Sequence, residues 1–203
     1  MMNMENTKEI PKNYTFYAML SRMKYIERWA LMRNSVHENI SEHSLETAMI
    51  VLGMAFIGNA RHGKHYDAEH LAACAMYHDC TEIMTGDMPT PVKYQNEDIK
   101  STYKEVERIA AYTMINKLPA DLRSFYEELI LQKSLSSEDK KLIKAADKMS
   151  ALIKCIEEEK NGNTEFSKAK DSTLCAIHKL NCIEAEDFIV EFLPAYRLTL
   201  DEL

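Results

Sequence analysis

The sequence predicts an all-α protein folded as a single helical domain over residues 1–203, and three observations carry that prediction. Apolar residues recur three and four positions apart along most of the chain, the spacing that places them on one side of an α-helix. Clusters of glycine, proline and asparagine interrupt these runs at intervals of helix length, and no stretch sustains the alternation of a half-buried strand. A chain of 203 residues is also long enough to bury a substantial core without dividing.

Residues 1–13 are mostly polar, include Pro11, and read as a loose lead-in. From Thr15, the pattern Phe16, Met19, Leu20, Met23, Ile26 and Trp29 predicts a first helix that Arg28 and Trp29 close together. Residues 32–39 are a polar loop. Ser41, followed by Glu42 and Ser44, starts the next helix, with Leu45, Ala48, Met49, Val51, Leu52 and Ala55 on its apolar face and His43 in its first turn. A third helix opens at Asp67 or Ala68 and runs toward Thr85. There Gly86 relaxes the backbone, and Pro89 and Pro91 hold the next segment extended or turned.

Residues 97–118 predict a long amphipathic helix through Val106, Ile109, Ala110, Tyr112, Met114 and Ile115. Pro119, Ala120 and Asp121 start another, through Phe125, Leu129 and Ile130. Ser136, Ser137, Glu138 and Asp139 form an acidic helix start, and apolar positions from Leu142 to Ile156 continue that helix to about residue 160. Asn161, Gly162 and Asn163 make a turn, after which residues 164–180 and 185–193 predict the last two helices before Pro194.

The formal charge of -7 argues against a nucleic-acid polymer as partner, which needs a basic face, but not against a small anionic substrate whose field is set locally. Five cysteines without CxxC spacing fit a reducing compartment. The apolar run 48–60 is short for a bilayer and is followed by Arg61, His62 and Lys64, and the start of the chain lacks the apolar centre of a secretory leader. The expectation is a cytoplasmic protein with no membrane partner.

Candidate chemistry centres on residues 72–82, where a run of small and apolar side chains ends in His78 and Asp79, with Glu82 one helical turn beyond. His43 and Asp147 share the same peculiarity of sitting in apolar helical segments. Asp147 lies among Ala145, Ala146, Met149, Ala151 and Leu152, which leave little room for solvent. A bare carboxylate there is costly, and a divalent cation removes the cost. Two imidazoles and two carboxylates make a mixed nitrogen and oxygen set that suits manganese, cobalt, iron, nickel or zinc better than a thiolate-bound structural zinc.

Each residue also has a plainer reading. His78 can be an imidazole hydrogen-bonded to a buried aspartate, and Cys74, one turn earlier, is either a soft ligand or core filler. Glu82 can orient or deprotonate a water, or simply face solvent. Arg28 can clamp a phosphate and Trp29 can wall a sugar or base, or the pair can be a salt-bridged arginine and a core indole. Asp87 and Thr90 can read substrate hydroxyls or cap their own turn.

Taken together, His43, the His78-Asp79 doublet and Asp147 resemble the H…HD…D signature of the HD-domain phosphohydrolases. Arg28-Trp29, Leu31-Met32-Arg33-Asn34, Glu38-Asn39, Ser41-Glu42-His43-Ser44-Leu45, Ala75-Met76-Tyr77-His78-Asp79, Thr85 to Tyr94 and Ile143 to Asp147 look like the bacterial YfbR-type 5'-deoxynucleotidases, a likeness that extends over nearly the whole chain after about Thr15. The resemblance implies an all-α HD-domain helical bundle, usually a homodimer, that uses one divalent cation to hydrolyse deoxyribonucleoside 5'-monophosphates. Cobalt or manganese is expected ahead of nickel, iron, zinc or copper.

By the same resemblance His43, His78, Asp79 and Asp147 bind the metal, Glu82 serves the attacking water, and Arg28 orients the phosphate. Trp29 and the segment Asp87, Met88, Pro89 and Thr90 contact the substrate, which His43, Asp79 and Asp147 also touch. Met88 within the proline loop and the polar start of the chain depart from the family pattern and bear only on fine substrate preference. Alternatives on the same metal motif are a nucleotide phosphodiesterase or nucleoside triphosphohydrolase, and a non-catalytic, metal-containing nucleotide-binding module.

Overall fold

The computed structural model describes residues 14–89, 92 and 96–203. Among these residues the regular structure is nine α-helices and four short 3-10 segments, with one isolated β-bridge and no strand. The loose start expected over residues 1–13, together with Thr90 and Pro91, lies outside the described residues.

The first helix is shorter than its apolar pattern suggests. α1 (Phe16–Leu20) passes into a 3-10 turn, Ser21–Tyr25, after which Ile26 goes extended at φ -99 and ψ 105. A bridge then replaces the helix: Arg28 N–H donates to Glu38 O at 2.9 Å and Ile40 N–H to Ile26 O at 3.0 Å. Arg28 and Trp29 therefore begin a loop closed at its neck rather than ending a helix. Trp29 takes φ +59, a left-handed conformation that a bulky residue holds only when its surroundings impose it.

α2 (Ile40–Arg61) starts one residue before the expected Ser41. Asn39 is the cap, accepting from the Ser41 and Glu42 N–H groups while the Glu42 carboxylate accepts from Asn39 N–H. Its buried side carries Ile40, His43, Thr47, Val51 and Met54, whereas Leu45 and Met49 point outward at 51% and 61% exposure, against expectation. The cause is placement, because α2 packs between α3 (Ala68–Met76) and a long helix near the C-terminal end, α7 (Ser137–Lys160), and the side away from both is left open. By length and composition α2 is apolar enough to cross a membrane, which the run 48–60 alone did not indicate; 56% of its apolar window is buried inside the protein.

α3 does not run on to Thr85. Its carbonyl at Ala75 accepts both the His78 N–H at 3.3 Å and the His78 Nδ1–H at 2.6 Å, partners that displace the bond a continuing helix would give to Asp79. Tight turns follow, with Cys80 N–H donating to Tyr77 O and Glu82 N–H to Asp79 O, before the single turn α4 (Glu82–Thr85) ends at Gly86 with φ +72.

α5 (Glu97–Ile115) and α6 (Arg123–Leu131) follow, with Val106, Ile109 and Phe125 turned outward rather than into the core. α7 begins as the sequence expects, with Ser136 and Asp139 forming a reciprocal cap. Gly162, at φ +81, turns the chain into α8 (Ser167–His178), and α9 (Ile183–Glu191) leads to the closing 3-10 segments.

The main core joins α2, α3 and α7, with Ile177 of α8 and Ala185 and Phe188 of α9 packed beneath. Each large apolar side chain buried there contributes roughly 1.5–3 kcal/mol. Phe16, Met114 and Leu118 fasten α1 to α5, and Met23, Ile40 and Cys80 lock the 3-10 turn onto α2 and the turns after α3. A charged pair holds the tip of the 26–40 loop. Lys154 and Glu158 of α7 are 4% and 1% exposed and pair with each other. The Glu158 carboxylate also accepts from Ser35 N–H at 2.9 Å, Ser35 Oγ–H at 2.6 Å and Val36 N–H at 3.2 Å. Breaking such a buried pair costs roughly 3–5 kcal/mol, so this loop is an integral part of the fold.

Candidate metal and phosphate site

Three elements deliver the expected ligands to one place. The first turn of α2 supplies His43, the tight turn after α3 supplies His78 and Asp79, and the middle of α7 supplies Asp147. Donor atoms of His43, His78 and Asp79 lie within 4.8 Å of one another. His43 Nε2 is 3.2 Å from Asp147 Oδ1 and 3.5 Å from Asp79 Oδ2, and His78 Nε2 is 3.1 Å from Asp79 Oδ2. Asp147 is less enclosed than its alanine-rich surroundings suggest. Its side chain is 36% exposed, so solvent reaches it while its neighbours Ala145 and Ala146 are buried.

Hydrogen bonds set which imidazole nitrogen carries the proton. His78 Nδ1–H donates to the Ala75 carbonyl, which can only accept, so in the neutral ring Nε2 holds the lone pair. Ser150 Oγ–H donates to Glu46 Oε2 at 2.6 Å, and the serine oxygen then accepts from His43 Nδ1–H at 2.9 Å. His43 Nε2 is thereby left as a second lone pair. Although both Nε2 atoms lie close to carboxylate oxygens, neither makes a well-directed hydrogen bond among the described residues. Lone pairs facing carboxylates repel unless positive charge sits between them, and this outer-shell pattern is the one metal-binding histidines display. The donor set fits one divalent cation.

The electrostatics agree. Burial works against the charged form of His78, but Asp79 beside it and Asp147 prevail and raise its pKa to about 9, so a proton competes with a cation for Nε2, whereas burial and the Arg28 charge lower the pKa of His43. Burial likewise opposes ionisation of Asp79 and Asp147, yet His78 and His43 respectively hold them below the usual carboxylate range. The pocket favours positive charge at its centre.

Arg28 and Trp29 approach from the 26–40 loop. Arg28 Nη1–H donates to Glu38 Oε2 at 2.9 Å, and the guanidinium also interacts with the charges of Asp79, Asp147 and Asp87. Burial pushes the Asp87 carboxyl up, while Arg28 and a backbone hydrogen bond at Trp29 pull it back, which places the loop after α4 against the Arg28-Trp29 segment. Met88 and Pro89 are half-buried in that same loop. Glu82 is 6% exposed at the start of α4, one turn past Asp79, and is not the solvent-facing residue its plainer reading allows. Cys74 is core filler, buried beside His70.

The sequence reading missed Glu38, Ser150 and Glu46. For the last two a signal existed: Glu46 lies three residues after His43 on α2, and Ser150 three after Asp147 on α7, so each shares a helix face with a candidate ligand. Glu38 stood out only within the Glu38-Asn39 stretch that carries the resemblance and had no role from spacing, because its partners lie across a loop.

Comparison with known proteins gives a consistent result. A family model described as 5'-deoxynucleotidase YfbR-like matches residues 15–196. The chain is 43% identical over 192 residues to the 5'-deoxynucleotidase YfbR of Shigella boydii, spanning 95% of this chain and 96% of that one, and matches the Escherichia coli enzyme of the same name to the same extent. An HD-domain phosphohydrolase structure from Listeria innocua superposes with a TM-score of 0.79 at 24% identity, covering 90% of this chain and 88% of that one. The cyanophage S-2L HD phosphohydrolase DatZ, solved with dA and one catalytic Zn2+ ion, superposes with a TM-score of 0.64 at 16% identity over 97% and 98% of the two chains. The structural likenesses carry the all-α HD fold, and the sequence matches carry the family: this chain belongs to the YfbR-like 5'-deoxynucleotidases.

Proposed function

We propose that the protein is a metal-dependent 5'-deoxynucleotidase that hydrolyses deoxyribonucleoside 5'-monophosphates to deoxynucleosides and inorganic phosphate. The observation that carries this reading is the meeting of two buried imidazole lone pairs with two carboxylates, within the field of Arg28. In this proposal His43, His78, Asp79 and Asp147 hold one divalent cation, cobalt or manganese ahead of nickel, iron, zinc or copper. Such a cation, when bound, supplies Lewis acidity toward a phosphoryl oxygen and makes a coordinated water easier to deprotonate.

The chain's own residues do the rest. Glu82 orients the attacking water in line with the leaving oxygen and accepts its proton. Arg28, permanently charged and carrying five N–H donors, pairs with the non-bridging phosphate oxygens as charge redistributes. The P–O5' bond breaks, the 5'-oxygen takes up a proton from solvent water to become the nucleoside hydroxyl, and the proton held by Glu82 returns to solvent. The Trp29 indole walls the nucleoside, and Asp87, Met88 and Pro89, with Thr90 of the same segment, complete the contacts, joined at the phosphate by His43, Asp79 and Asp147. A close wall at the sugar supports preference for deoxyribose, since a hydroxyl is excluded by fit.

A triphosphate substrate needs more positive charge than Arg28, the cation that the described residues bring to the cluster, so the triphosphohydrolase and phosphodiesterase readings are weaker. The buried Glu82 beside the ligand set disfavours a non-catalytic module. A cytoplasmic location belongs to the same proposal, supported by five unpaired thiols. So does a homodimer, supported by the α2 side chains Leu45, Met49 and Phe56, which share one helix face and are 51%, 61% and 55% exposed.

Chelator-treated protein, screened against deoxyribo- and ribonucleoside 5'-monophosphates with each metal added back singly, is expected to release phosphate from the deoxy series only when metal is restored. Release of pyrophosphate or tripolyphosphate from nucleoside triphosphates offered in the same screen, with no metal-stimulated phosphate from the monophosphates, would overturn the reading. Glu82→Gln is expected to lower kcat by about 10²-fold or more while metal affinity, followed by calorimetry, stays unchanged; full turnover at saturating substrate would remove its assigned role. Sedimentation should find a dimer that Met49→Glu dissociates, and a monomer at every concentration of the unaltered protein would dispose of that assembly.

A further inference from the structure

Glu38 is absent from the roles given so far, yet it touches both side chains assigned to the substrate. One oxygen, Glu38 Oε2, accepts from Arg28 Nη1–H at 2.9 Å and from the Trp29 indole Nε1–H at 2.7 Å. The Arg28 and Glu38 side chains are each 12% exposed, so little water competes and the charge-assisted bond is strong. The neck of the loop keeps the acceptor opposite its donors, since Arg28 N–H bonds to the Glu38 carbonyl.

We propose that Glu38 is a positioning residue for the substrate, a single carboxylate oxygen that fixes the guanidinium and the indole as one unit and so governs both phosphate engagement and nucleoside fit. The proposal rests on the assignment of Arg28 to the phosphate and Trp29 to the nucleoside. Asp79, Asp147 and Asp87 also attract the guanidinium. A free arginine would turn to them and neutralise the groups that are to hold a cation, whereas Glu38 engages one edge and leaves further N–H donors for an anion. The indole is similarly constrained. Its backbone sits at φ +59, its ring packs on Phe166 at 5.3 Å between centroids, and the Arg28 guanidinium lies 5.7 Å from that ring, so the hydrogen bond from Nε1 fixes the remaining freedom of the side chain.

The test compares Glu38→Ala, Glu38→Asp, Glu38→Gln and Arg28→Ala in the full chain. It uses phosphate release from deoxyribo- and ribonucleoside monophosphates, calorimetric manganese affinity and thermal unfolding. Glu38→Ala, and Glu38→Asp, whose oxygens sit one methylene short, should raise KM for the deoxynucleotide about tenfold or more and narrow the deoxyribo-to-ribo ratio of kcat/KM, with manganese affinity unchanged. Glu38→Gln, whose amide oxygen still accepts both bonds, should recover most of the loss. If Arg28→Ala raises KM while Glu38→Ala and Glu38→Asp leave KM and the ratio unaltered, the role of Glu38 is wrong and that of Arg28 stands. If Arg28→Ala is also without effect, the phosphate assignment falls and this proposal with it. A parallel fall in manganese affinity and unfolding temperature for Glu38→Asp would make the residue merely structural and overturn the proposal.

Discussion

Two carboxylates and two imidazole lone pairs converge where α2, α3 and α7 meet, and their mutual repulsion must be offset by positive charge. Buried groups of one sign are tolerated only when paired, protonated or bound to a cation. Here the hydrogen bonds from Nδ1 of His43 and His78 turn both Nε2 lone pairs toward Asp79 and Asp147. The apolar core holds them there. Helices α2 and α7 cannot separate without exposing Val51, Met54, Leu142 and Met149, each 0% exposed, and the turns after α3 are pinned by Cys80 against Met23 and Ile40.

A second constraint operates on the loop that carries Arg28 and Trp29, the substrate side in the proposed function. The 26–40 loop departs from helical geometry at Ile26, is tied at its neck by a two-bond bridge, and is fastened at its tip by Glu158. Holding Trp29 in a left-handed backbone conformation costs of order 1–3 kcal/mol, and the loop persists in that form because anchors at both ends over-determine it. The result is a rigid presentation of Arg28 and Trp29 toward a cluster rich in negative charge. A phosphate entering such a site needs both a bound cation and the guanidinium to overcome repulsion from the aspartates. On the proposed function, the candidate metal cluster and the loop therefore act as one device.

Much of this was legible in the amino-acid order because it depends on periodicity and on costly residues. The long helices α2, α5 and α7 follow from apolar spacing, the Ser136 cap and the Asn161 to Asn163 turn from local chemistry, and the grouping of His43, His78 and Asp79, with Asp147 beside His43, from polar groups in apolar runs. What was not legible depends on long-range contacts. The apolar run from Phe16 to Trp29 carries no sign that Ile26 pairs with Ile40, so the loop position of Arg28 and Trp29 was hidden. The break after Met76 depends on the His78 side chain taking the Ala75 carbonyl, which helix propensity does not register. Leu45 and Met49 look like core residues until the positions of α3 and α7 are known.

The central claim is that one cation is shared by side chains from α2, α7 and the turn after α3 and tuned by the serine and glutamate behind His43. Cobalt titrated calorimetrically into chelator-treated protein tests it most directly. The account predicts one equivalent bound per chain, binding abolished by Asp79→Ala and weakened about 10–100-fold by Ser150→Ala, which removes the hydroxyl that holds the His43 tautomer. Undiminished binding in the Asp79→Ala protein would contradict it.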